Sequence, residues 1–92
     1  MDSAEIKEKL IGKLAELFED RKVDNDLLEY VDLLDDMGMD SMTFITILVE
    51  IETMFGITVP DDTLLMENFR KVENIVELVI NELKKKDKGK KS

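Results

Sequence analysis

Cysteine, histidine and tryptophan are missing from this chain. Without cysteine there is no disulfide and no thiolate metal site. Without histidine as well, Ser-His and Cys-His catalysis cannot be run by the chain's own side chains. Long apolar runs are also lacking. The longest are two or three residues, so no segment of the sequence spans a membrane. At 92 residues the chain makes one small domain. A domain of that size buries only about 60% of the surface its unfolded chain exposes, which leaves little interior for an enzyme cleft.

Basic residues are absent where acids are densest. Val23 to Phe69 holds no Lys or Arg against twelve acids. Six of the thirteen basic residues lie in the tail, at Lys84, Lys85, Lys86, Lys88, Lys90 and Lys91. Upstream of them, 7 basic side chains face 21 acidic ones, a net of −14 within a total of −9. Such a surface repels nucleic acid and anionic lipid. It steers toward basic protein partners in a salt-dependent way, although solubility alone accounts for the same composition. Met1-Asp2-Ser3 opens an acidic amphipathic stretch rather than a signal peptide, so a cytoplasmic location is expected.

The apolar spacing predicts an all-α four-helix bundle with a short third helix and a long loop between helices one and two. Ile6, Leu10, Leu14, Leu17 and Phe18 define the first helix over 4–19, with Asp2 or Ser3 as its cap. Arg21 to Asp40 has no clean period and reads as a long connection, a kind of loop that is usually functional. The second helix covers 41–55 and closes at Gly56, which suits a left-handed C-cap. Pro60-Asp61-Asp62 reopens a short helix to about Glu67. Val72, Ile75, Val76, Val79 and Leu83 mark the fourth helix over about 71–85, with Arg70 where a capping Ser or Thr would serve better. An ordered domain is expected over 1–85 and a disordered lysine-rich tail over 86–92.

The second helix carries more apolar surface than a core stripe needs. Its apolar residues fill roughly 240° of the circumference, where a little over 100° suffices. Phe44, Ile47, Leu48, Ile51 and Phe55 form the expected core face. Met42, Ile45 and Val49 flank it at spacing i, i+3, i+7. Either they are buried between neighbouring helices, or they form an exposed patch that docks partners beside Ser41.

Ser41 opens that helix. Free backbone N–H groups and the helix dipole favour a phosphate there, yet a simple cap by Asp40 or Ser41 explains the same residues. The nearby acids Asp32, Asp35, Asp36 and Asp40 do not make a calcium loop, because the third and twelfth positions from Asp32 are Leu34 and Thr43.

The run Leu34-Asp35-Asp36-Met37-Gly38-Met39-Asp40-Ser41-Met42 resembles the phosphopantetheine attachment motif of acyl carrier proteins. Glu50 to Asp62, through Phe55-Gly56 and Pro60, is similar to the stretch that closes helix two in that family. The resemblance covers about residues 3–83. It implies that a phosphopantetheinyl transferase, using coenzyme A and Mg²⁺, loads 4'-phosphopantetheine onto Ser41, with Asp40 positioning the metal and phosphate. The arm then holds acyl or aminoacyl groups as thioesters for a loading ligase and downstream acyl-processing enzymes. It implies a monomeric carrier, not an enzyme, that docks through Asp36, Asp40, Met42, Ile45, Val49 and Glu52.

Four positions make three departures from the family's pattern. Met42 replaces the usual Leu, a volume-conserving change. Thr43 and Thr46 are neutral where fatty-acid carriers have acids. Phe44 is bulky where those carriers have a small residue lining an acyl pocket. These point to a specialised carrier for an amino acid or short acyl group. The alternatives are a primary fatty-acid carrier and, from a different class, an unmodified acidic adaptor that binds partners through helix two.

Overall fold

Asp2 begins the first helix: its Oδ1 accepts the Glu5 N–H at 2.9 Å, which satisfies one of the donors a helix start leaves free. The computed structural model describes residues 2–21 and 23–91. Helix α1 (Ser3–Leu17) buries Ile6, Leu10 and Leu14 on one face, and Phe18 extends that row by one more i+4 step. Burial of each such side chain contributes about 1.5–3 kcal/mol, a large share of a small domain's 5–15 kcal/mol or so.

The long connection contains a 3₁₀ turn at Glu19–Arg21 and a one-turn helix, α2 (Asn25–Leu28). Leu28, Leu33, Met37 and Met39 pin it to the core. Helix α3 (Ser41–Phe55) has the expected bounds. Gly56 ends it at φ 62°, a left-handed conformation that a side chain makes costly. Ile57 N–H then closes back on the Glu52 carbonyl at 3.2 Å.

The expected short third helix is present as two 3₁₀ turns, Asp61–Thr63 and Met66–Phe69. Leu64 and Leu65 leave helical backbone between them, so no α-helical ladder runs through 62–67. Helix α4 (Val72–Lys91) buries Val72, Ile75, Val76 and Val79. Its helical backbone continues past the boundary expected at Lys85. Within the expected lysine tail, Ser92 and the side chains of 87–91 lie outside the described residues.

Among the described residues the chain is an all-helical bundle with four α-helices. Its most extensive helix pair is α1 on α4, and α3 touches both. No buried polar side chain among the described residues lacks a hydrogen-bond partner. No described helix is long and apolar enough to cross a membrane.

Candidate functional site

The site is built around the start of α3. Asp40 is its N-cap: Oδ1 accepts the Thr43 N–H at 2.9 Å, and its carbonyl accepts the Phe44 N–H at 2.9 Å. The Thr43 N–H is also the main reason the Asp40 carboxyl sits below the usual carboxylate range. Capping is thereby assigned to Asp40, one of the two candidates left open by the sequence. Ser41 stands one residue further on, exposed, and no hydrogen bond of its hydroxyl is seen among the described residues. Its Oγ is thus free for chemistry at a helix end whose first N–H groups and dipole favour a phosphate. The residues present fit a phosphate-linked group on Ser41.

The apolar flank of α3 is resolved in favour of exposure. Met42 is 80% exposed, Ile45 55% and Val49 52%, so burial between neighbouring helices does not account for them. Ile47, Ile51 and Phe55 are buried, with Phe44 and Leu48 packed partly against them. The exposed side chains form a stripe that begins next to Ser41.

Two acids expected to face partners have internal work. Asp36 stays exposed, but its Oδ2 accepts the Asp32 N–H at 2.9 Å. Glu52 is half-buried and its Oε2 accepts the Val59 N–H at 2.8 Å, which holds the segment after α3. Met42, Ile45 and Val49 therefore make up the apolar face, whereas Asp36 and Glu52 shape the backbone on either side of the helix.

The sequence marks Arg70 only as a poor cap. In the structure it joins three acids. Its Nη2 lies 2.7 Å from Asp32 Oδ2 and 2.6 Å from Asp35 Oδ2, and its Nη1 lies 2.9 Å from Glu67 Oε1. Its Nε donates to Asp32 Oδ2 at 2.9 Å. Asp32 Oδ1 in turn accepts the Leu34 and Asp35 N–H groups at 2.9 Å each. The one sequence signal for this role was that Arg70 is the first cation after an acidic stretch.

Arg70, and then the Asp35 N–H, hold the Asp32 carboxyl down to about 2. An unfolded Asp titrates near roughly 3.9. A depressed folded value means that the stabilisation is present above the unfolded value and is lost as pH falls through the folded one. The melting temperature is therefore expected to drop progressively between about pH 5 and about pH 2. Asp32→Asn should flatten that slope, and an unchanged slope in a melting series would show that Asp32 does not drive it.

Below Ser41, the Phe44 ring meets Phe69 edge-on, with centroids 5.1 Å apart at 67°. Phe69 itself is fully buried. A cleft of about 570 Å³ lies elsewhere, lined by Thr63 and Asn68 and by α4 residues that include Asn74 and Asn81; it does not include any residue of α3.

The family described as phosphopantetheine attachment site matches residues 8–79, most of the chain. No curated protein matches it.

Proposed function

This chain belongs to the phosphopantetheine attachment-site family, and from that premise we propose that it is a monomeric carrier loaded at Ser41. The observation that carries the reading is the division of labour at the start of α3: Asp40 makes the cap bond and Ser41 keeps an exposed hydroxyl. Domains of this family take 4'-phosphopantetheine covalently and work with modifying and processing enzymes. When bound, the group supplies a terminal thiol that carries acyl or aminoacyl cargo as a thioester. The chain's own residues present the attachment hydroxyl, hold the helix start and offer the exposed face of Met42, Ile45 and Val49. Asp40 is the carboxylate placed to orient the transferase's Mg²⁺ and the incoming phosphate. The test is intact mass after incubation with coenzyme A, Mg²⁺ and a broad-specificity phosphopantetheinyl transferase. One adduct per chain is expected; none would favour an unmodified acidic adaptor.

Within this reading, the cargo is an amino acid or a short acyl group in a specialised pathway. Support comes from the packing of Phe44 on Phe69, which fills space beside α3 that a long chain would need. Opening it would separate an aromatic pair and expose Phe69, both unfavourable. NMR of a long-chain acylated form should leave Phe44, Leu48 and Ile51 nearly unshifted. Large shifts at all three would report chain sequestration and return the protein to primary fatty-acid synthesis.

A further inference from the structure

The turn before Ser41 is held from three directions. Leu33, Met37 and Met39 are its apolar anchors, at 0%, 3% and 2% exposure. Backbone bonds fold it on itself: Asp36 N–H to the Asp32 carbonyl at 2.8 Å, and Met39 N–H to the Leu33 carbonyl at 3.0 Å. Gly38 supplies the positive φ of 67° that turns the chain toward Asp40. The third hold comes from Arg70, 38 residues away from Asp32. Its carbonyl accepts the Leu33 N–H at 2.7 Å while its guanidinium spans Asp32, Asp35 and Glu67.

Without Arg70 these contacts conflict. Asp32, Asp35 and Asp36 lie within five residues, and the Asp32 and Asp35 carboxylates would face each other across the turn with no cation between them. Like charges that close favour an opened turn. Arg70 replaces that repulsion with attraction, and its planar fork serves several carboxylates at once. Arg70 and Asp32 are only partly exposed, at 26% and 16%, so solvent screens that pair less than a fully exposed one, whereas Asp35 and Glu67 stand in solvent at 69% and 68%.

We propose that Arg70 is a positioning residue for modification at Ser41: by spanning Asp32, Asp35 and Glu67 it keeps the 32–39 turn in the shape that sets Asp40 as the cap and leaves Ser41 Oγ presented. The role rests on the carrier reading above. In the transfer, Ser41 Oγ gives its proton to a base of the transferase or to water and bonds to the phosphorus of the pantetheine phosphate. The pyrophosphate bond of coenzyme A breaks, and adenosine 3',5'-bisphosphate leaves with that bond's electron pair. A nucleophile misplaced by about 1 Å can lose on the order of a hundredfold in rate, so a loosened turn is felt at Ser41 without any change at the serine itself.

The experiment compares the full chain with Arg70→Met and Arg70→Lys, at a temperature where circular dichroism shows each fully folded. Two quantities are read: kcat/KM for adduct formation with the broad-specificity transferase, and amide exchange at Leu33, Leu34, Asp35 and Met39. Arg70→Met should lose protection at those amides and drop kcat/KM by about tenfold. Arg70→Lys, a point charge that cannot span three carboxylates, should fall between. A merely stabilising ion cluster would lower the melting temperature and leave kcat/KM of the folded variant unchanged, and that result overturns the role. If Arg70→Met does not fold, Arg70→Lys decides: a wild-type rate overturns the proposal, and a reduced rate with faster exchange at Leu34 and Asp35 supports it. A wild-type chain that takes no adduct overturns the Ser41 reading and this role together, whereas failure of the Arg70 role alone leaves wild-type loading intact.

Discussion

Ser41→Ala should abolish phosphopantetheine attachment completely while leaving the fold as stable as before. The two halves of this expectation have separate causes. Loss is complete because the arm needs a hydroxyl oxygen at that position, and alanine has none. Stability is kept because Ser41 is exposed and carries no cap bond; that bond belongs to Asp40. Exposed substitutions of this kind usually change stability by no more than about 0.5 kcal/mol, and alanine is the better helix former. Asp40→Ala gives the contrasting pattern: the serine remains, but the Thr43 N–H loses its acceptor and the start of α3 frays. The chain has only two other serines, Ser3 and Ser92, so the variant is a clean discriminator. Intact mass and a thermal melt on the same sample read both effects. An adduct that persists in Ser41→Ala would place the attachment elsewhere and remove the basis of the site.

Much of this arrangement could be read from local sequence. The i+4 row from Ile6 to Phe18, the Asp2 cap, the bounds of α3 and the left-handed Gly56 depend on neighbours within a few residues, and each left its mark as spacing or residue type. The exposure of Met42, Ile45 and Val49 was visible only as an excess of apolar arc, because periodicity cannot tell a helix buried on two sides from one with an open flank. What stayed hidden is long-range or irregular. Arg70 meets Asp32 and Asp35 across 38 and 35 residues, and no period connects them. Lys86 donates to the Gly56 carbonyl at 2.6 Å across a 30-residue gap, so a lysine expected in a solvated tail instead joins the end of α3 to α4. Glu52 matched the acidic face expected to meet partners, yet the turn after Gly56 brings the Val59 N–H within its reach. The short α2, and the division of the expected third helix into two 3₁₀ turns, escape notice because three or four residues are too few to show a period.

Ile45→Asp and Val49→Asp should each cut transfer to or from partner enzymes by about ten- to a hundredfold without unfolding the chain. Retention of the fold follows from exposure. Both side chains are more than half in solvent, while the core row of α3 is carried by Ile47, Ile51 and Phe55. The loss follows from the docking role proposed for the exposed apolar stripe. Apolar side chains that become buried at the centre of an interface can each carry about 2 kcal/mol or more of binding, and every 1.4 kcal/mol or so is a factor of ten. A carboxylate there would also have to be desolvated on docking. Charge alone could mimic this effect on so acidic a surface, so Ile45→Asn is the control. If the stripe acts through apolar contact, Asn costs nearly as much as Asp, and added salt does not restore transfer. If long-range repulsion is the cause, Asn behaves as wild type and salt rescues Asp. Met42, at 80% exposure, belongs to the same stripe, but its flexible thioether side chain adapts to differently shaped partners. Its replacement by Leu should therefore be the mildest change of the series. Wild-type transfer by both aspartate variants, with both folded, would mean that partners approach Ser41 from the side of the 32–39 turn instead.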